Sequence, residues 1–246
     1  MFKMLAFDKE FYKHKIEKYN NLIGEIKIGE ISIIKPEKNN LDGYTIENYI
    51  KENIKIIELK RNDELLMRIS PHEVQGSYEA IKWVYGKVGV VGLGLGYFLQ
   101  EILEKDNVEE IIVYEIDEKI INLYKQNFKQ NKKVRIIKGD AFEANRENFD
   151  CFYVDIYNYK LSENVVEDYI KLNEIHNINE YSFWGVEHFL LSCSMEDLAW
   201  IYIPENWMTM ARNLFGNLKD SRLLDNFKNA DEKIVKDVLN KFKNIL

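Results

Sequence analysis

Val90-Val91-Gly92-Leu93-Gly94-Leu95-Gly96-Tyr97-Phe98-Leu99 is an apolar run that breaks into three alternating glycines and resumes as an amphipathic segment. The pattern is that of a strand turning tightly into a helix. Glycine suits such a turn because the backbone can take positive φ, because a ligand can approach a chain without Cβ atoms, and because the first amides of the helix face a negatively charged group. The spacing is G-x-G-x-G. Tyr97 stands where the dinucleotide fingerprint G-x-G-x-x-G/A needs a small residue, which disfavours a pyrophosphate-bearing nicotinamide ligand. Any tight strand-to-helix turn could use these glycines, so the neighbouring strands decide their meaning.

Downstream, Ile111-Ile112-Val113-Tyr114-Glu115 is a buried strand with a carboxylate at its tip, roughly 20 residues beyond Gly92, where an acid can accept both hydroxyls of a ribose. Asp117 is read mainly as the cap of a helix beginning at Glu118. Val134-Arg135-Ile136-Ile137-Lys138-Gly139-Asp140-Ala141-Phe142 and Phe149-Asp150-Cys151-Phe152-Tyr153-Val154-Asp155 are again strands closing on acids. Residues 88–91, 110–115, 133–138 and 149–155 are short enough for parallel strands, and helical stretches at 97–105 and 117–130 separate them. The expectation is an α/β fold: a Rossmann-like, mostly parallel sheet with helices on both faces. Its ligand lies outside the carboxyl ends of the strands, where the strand order reverses.

Upstream, residues 8–22 carry a helical stripe, and 25–28, 31–35, 55–59 and 65–69 read as short strands, the last pair around a polar turn at 60–64. Ser70-Pro71-His72-Glu73 is a helix start with the elements of a capping box, and Gly86 is the stop expected after Tyr85. Beyond Asp155 the reading gives helices at 163–175 and 186–194, with room for one strand between them. Pro204 opens one later helix and Asp231 another, with an Ile234, Val235, Val238, Leu239, Phe242 stripe. The expected organisation is an N-terminal α+β lobe at 1–69, the Rossmann-like domain at 70–195 and a helical C-terminal extension at 196–246.

The 246 residues are 46% hydrophobic, with 3 Pro and 12 Gly, which fits an ordinary globular chain and excludes collagenous or low-complexity readings. Lys and Arg total 34 against 41 Asp and Glu, a net charge of -7, so the basic footprint of a duplex nucleic-acid binder is missing. Cys151 and Cys193 fit neither a disulfide framework nor a metal spacing, and no metal site is expected. With no export signal or membrane span in the sequence, a cytoplasmic location is expected. Whether the chain forms a homo-oligomer is left open.

Across about residues 86–157 the ordered glycines and acids resemble the class I S-adenosylmethionine-dependent methyltransferases. The resemblance implies that Gly92, Leu93, Gly94, Gly96 and Tyr97 lie against the methionine part of S-adenosylmethionine. It likewise implies that Glu115 and Ile116 hold the ribose side, and that Asp140 and Ala141 contact the adenine. More narrowly, Met67-Arg68-Ile69-Ser70-Pro71-His72-Glu73 and Phe183-Trp184-Gly185 look like a methyltransferase-like group related to the spermidine synthase branch. Two departures stand out. Asp155-Ile156-Tyr157-Asn158 is not the Asp/Asn-Pro-Pro-aromatic motif of amino-methylating nucleic-acid enzymes. Spermidine synthases usually carry an acid within the glycine turn and Asp-x-x-Asp after this strand, where this chain has Gly-Leu-Gly-Leu-Gly and Asn158.

Methyl transfer from a sulfonium is an in-line displacement that asks mainly for positioning and exclusion of water. Asp155 is the expected catalytic residue, orienting an amine or hydroxyl or taking its proton. It fits equally well as a residue that binds the cofactor's amino group or caps the following turn. His72 and His188 belong to no triad or metal spacing. Tyr157 and Tyr97 are candidate pocket walls. The aromatic group of Phe183, Trp184, Phe189, Trp200, Tyr202 and Trp207 fits a core or subunit interface better than a substrate wall. The leading expectation is a methyltransferase acting on a small-molecule or protein acceptor. An aminopropyltransferase-like enzyme and a non-catalytic scaffold are the alternatives.

Overall fold

The computed structural model describes residues 5–36, 43, 54–194, 196–197, 204–218, 224 and 227–245. The entry helix α1 (Lys9–Leu22) is capped by Asp8, which accepts the Glu10 amide at 2.9 Å, and it buries Tyr12, Ile16 and Tyr19 on one face. Four short strands follow: β1 (Ile26–Ile28), β2 (Ile31–Ile34), β3 (Glu58–Arg61) and β4 (Glu64–Arg68). They form an antiparallel meander in chain order. The turn expected over 60–64 is shorter, because Lys60, Arg61 and Glu64 join the ladder and Asn62, at φ 55, helps make the reversal.

Helix α2 (Pro71–Trp83) begins where the Ser-Pro pair places it, but the capping box is not made. Both Ser70 and Glu73 are buried, and the Ser70 hydroxyl caps nothing. Pro71, with its fixed φ at the first turn, is the feature of the start signal that survives.

The larger sheet is built from β5 (Gly86–Val91), β6 (Val108–Glu115), β7 (Val134–Lys138), β8 (Asn148–Val154) and β9 (Asn177–Phe183), the last being the strand hidden in the aromatic segment. The order is β7-β6-β5-β8-β9, and each neighbouring pair is parallel. The order therefore reverses at β5, the strand that ends in the glycines. Helices α3 (Tyr97–Leu103), α4 (Glu118–Asn127), α5 (Asn164–Ile175) and α6 (Val186–Ser192) belong to this unit, and α7 (Glu205–Leu218) and α8 (Glu232–Lys243) complete the described chain.

Both faces of the sheet are covered, which is why its central strands β5, β6 and β8 read as largely apolar runs. Ile111 and Val113 of β6, with Cys151 and Tyr153 of β8, join a core shared with α1, the meander and α4. Their neighbours Ile112, Tyr114, Phe152 and Val154 join a second core with α5 to α8. The described residues of the N-terminal lobe thus share their core with the parallel sheet. A polar contact adds to the joint: Lys15, Lys18 and the Tyr19 hydroxyl of α1 converge on Glu101, buried on α3.

Phe183, Phe189 and Trp207 pack with Phe242 in the second core, with ring centroids of Trp207 and Phe242 5.1 Å apart. Their role is packing. Trp200 and Tyr202, expected in the same group, lie outside the described residues. Among the described residues, no helix is long and apolar enough to cross a membrane.

Candidate active site

A cavity of about 400 Å³ opens at the carboxyl end of β5, within the range of roughly 300–1,000 Å³ common for small-molecule sites. The parallel sheet supplies one side: Gly92 and Gly94 from the bend, Glu115 at the tip of β6 and Ile116 beyond it, Asp140 and Ala141 after β7, and Asp155 after β8. The antiparallel lobe supplies the other through Leu59, Arg61, Leu66 and Met67. Three acids and one base line it, so the site favours cations.

The glycines divide in role. Gly92 sits at φ 91 where a Cβ would run into the Asp155 carbonyl, so the bend can nest against the end of β8. Gly96, at φ 77, would place a Cβ 2.7 Å from the Tyr124 ring. It serves helix packing and does not line the cavity.

Leu93, Gly96 and Tyr97, expected beside the cofactor, lie outside the cavity lining. Tyr97 turns into the core beneath α1, its ring 5.1 Å from that of Tyr19, because its large side chain finds an apolar place there. The amides of Leu93, Leu95 and Gly96 already have partners within the protein. Leu93 donates to Glu115 Oε2 at 2.9 Å, Leu95 to the Met67 thioether at 3.0 Å, and Gly96 to the Leu93 carbonyl at 2.8 Å. A ligand group seeking the Leu95 amide has to displace Met67, a weak acceptor.

Glu115 is 6% exposed, and each of its carboxylate oxygens accepts one amide, from Leu93 and from Asp117, both at 2.9 Å. Each oxygen keeps acceptor capacity for a second donor. Burial raises its pKa, partly offset by those amides. Asp117 caps α4 by accepting the Lys119 amide at 2.8 Å and also binds Arg61 at 2.9 Å. Asp140 caps a short 3₁₀ turn, accepting the Phe142 amide at 2.9 Å, and still faces the cavity. Ile116, 70% exposed, and Ile156 form an apolar rim with Ala141 and Phe142.

Asp155 is held by its own amide, which donates to the Val91 carbonyl at 2.8 Å. Desolvation pushes its carboxyl up to about 7, within reach of proton transfer near neutral pH. Tyr157 does not line the cavity and sets its ring edge-on to Phe183. His72 packs between Tyr159 and Trp184, and the His188 ring is hydrogen-bonded to the Lys228 carbonyl at 2.7 Å. Neither histidine lines the cavity. Sequence reasoning did not single out the roof residues Leu59, Arg61 and Leu66, or Asn158 and Tyr159 of the wall, as parts of this site.

Residues 77–170 match the model of the spermine/spermidine synthase domain. Among solved structures, the chain is similar to spermidine synthase from Thermotoga maritima at 16% identity and TM-score 0.40, over 63% of this chain and 52% of that one. A spermidine synthase in complex with the transition state analogue AdoDATO gives 17% identity and TM-score 0.40 over the same shares. An S-adenosylmethionine-dependent methyltransferase from Clostridium acetobutylicum gives 14% identity and TM-score 0.36, over 45% of this chain and 49% of that one. The chain spans about half the length of these proteins. No curated protein matches the sequence. Over residues 77–170 the sequence is thus matched to the spermine/spermidine synthase domain.

Proposed function

We propose that the chain transfers a methyl group from S-adenosylmethionine to an amine or hydroxyl of a small molecule or an accessible protein side chain. The observation that carries this reading is the meeting of Gly92, Gly94, Glu115, Asp140 and Asp155 around one cavity at the switch in strand order. The residues fit the ligand. Glu115 has acceptor capacity for ribose hydroxyls, Ile116, Ala141 and Ile156 suit a purine, and the acidic lining suits a sulfonium. Bound there, the sulfonium supplies an electrophilic methyl carbon.

The protein's own part is placement. As the acceptor's lone pair forms the new bond to carbon, the carbon–sulfur bond breaks and its electron pair stays on sulfur. The acceptor's proton passes to Asp155, whose carboxyl, raised to about 7, is suited to take it near neutrality. The lobe over the cavity excludes water. The acid-free Gly-Leu-Gly-Leu-Gly bend and Asn158, where the spermidine synthase pattern has acids, favour methyl over aminopropyl transfer.

Aminopropyl transfer is the second reading, favoured by the family match over 77–170 and by the three acids facing a single Arg61. It predicts turnover of decarboxylated S-adenosylmethionine with a diamine. Isothermal titration with S-adenosylmethionine, its decarboxylated form and S-adenosylhomocysteine tests the shared basis of both readings. One site per chain is expected, and no binding by the folded protein would contradict them together.

A further inference from the structure

Asn158 and Tyr159, both in the cavity wall, take successive left-handed conformations at φ 48 and φ 62. L-residues avoid this region, and a pair in sequence persists only where the surroundings impose it. The restraint is visible. The Tyr159 hydroxyl accepts the Arg68 amide at 2.7 Å and donates to the Arg68 carbonyl at 2.9 Å. Its ring stacks on His72, with centroids 5.5 Å apart, and meets Trp184 edge-on at 4.8 Å.

Arg68 ends β4, the edge strand of the meander, with no strand beyond it among the described residues. A side-chain hydroxyl from the loop after β8 therefore serves both backbone groups of an edge residue, as a neighbouring strand would. The preceding residue, Met67, accepts the Leu95 amide of the glycine bend. One strand end thus grips both sides of the cavity: the bend through Met67 and the loop carrying Asp155 through Arg68.

We infer that Tyr159 is a positioning residue, whose double hydrogen bond to Arg68 holds the loop after β8 so that Asp155 faces the reacting sulfur of a bound adenosyl ligand. The inference rests on the functional reading above. It names a coupling within that site: the lobe must be docked for Asp155 to be in place.

The test compares a sulfonium with its uncharged thioether. Isothermal titration of the full chain at pH 8 gives the affinity ratio of S-adenosylmethionine to S-adenosylhomocysteine, which reports how near the Asp155 charge lies to the sulfur. The wild type is expected to prefer the sulfonium by about tenfold. Tyr159→Phe, which keeps the ring contacts, is expected to lower the ratio toward one, as Asp155→Asn does, and the double variant to lower it no further. A purely structural role would weaken both ligands alike and leave the ratio unchanged, overturning the inference alone. Failure of the wild type to bind either ligand would overturn the functional reading and the inference with it.

A second measurement needs no variant. In the wild type, hydrogen exchange at 156–159 and at the Arg68 amide should slow together, by about tenfold or more, when S-adenosylmethionine replaces S-adenosylhomocysteine. Independent exchange of the two segments would contradict the coupling.

Discussion

Glu115 and Leu93 are joined across the cavity floor: Oε2 of the carboxylate accepts the Leu93 amide at 2.9 Å and so ties the tip of β6 to the glycine bend at the end of β5. The same side chain holds the Asp117 amide with its other oxygen. It shapes the floor before any ligand arrives.

Glu115→Gln keeps the size of the side chain but turns one acceptor into a donor facing an amide. A buried donor left without a partner costs about 1–3 kcal/mol. Urea unfolding should show a loss of that size, and titration should show adenosyl affinity down about tenfold or more. Unchanged affinity in a folded variant would remove Glu115 from the site.

Asp155 makes stability depend on pH with a definite sign. Its carboxyl is raised from 3.8 to about 7 in the fold, so between those values the folded chain holds a proton that the unfolded chain has released. Stability contributed by this group is present at low pH and declines as pH rises toward about 7. Asp155→Asn should therefore stabilise the protein more at pH 8 than at pH 5, measured by urea unfolding. Methyl transfer should rise through pH about 7 in the wild type, because the carboxylate is the active form.

Gly96 and Gly94 should separate packing from binding. Gly96→Ala meets the Tyr124 ring at 2.7 Å from positive φ, and a loss of roughly 2–4 kcal/mol is expected from strain and overpacking combined. Gly94→Ala meets the flexible end of Met67, also from positive φ, so its stability loss should be the smaller one. Its ligand affinity should nevertheless fall, because the added methyl enters the space over the bend. Thermal unfolding and titration of the two variants check the contrast.

Arg61→Ala should change little in stability. The pair with Asp117 is half open on the arginine side, 43% exposed, and such pairs contribute about 0–1 kcal/mol. Unfolding at low and high salt should show a small difference that shrinks with added salt. A loss of several kcal/mol would mean that the lobe depends on this contact.

Much of the fold was legible because β5, β6 and β8 are buried on both faces and read as apolar runs, while Asp117 and Asp231 mark helix starts by local chemistry. Strand β9 was harder to see. Its first half, Asn177-Ile178-Asn179-Glu180, is polar and lies on the sheet edge, so burial leaves little imprint there. The acids of the floor were legible because each ends or follows its own strand. The roof was not, because Leu59, Arg61 and Met67 meet the cavity only through the docking of the meander. Nor does the spacing of the glycines tell Gly96, which packs against Tyr124, from Gly92 and Gly94, which face the cavity. Tyr159 is the clearest case: one tyrosine among 15, given its place by a contact with Arg68 across 91 residues.

A crystal structure with S-adenosylhomocysteine soaked in tests the central claim most directly. The ligand should lie with its ribose at Glu115, its adenine among Ile116, Ala141 and Ile156, and its sulfur facing Asp155. Density for the ligand elsewhere, such as a second groove lined by Trp83, Tyr169 and Asn206, with the space beside Glu115 and Asp155 left open, would contradict it.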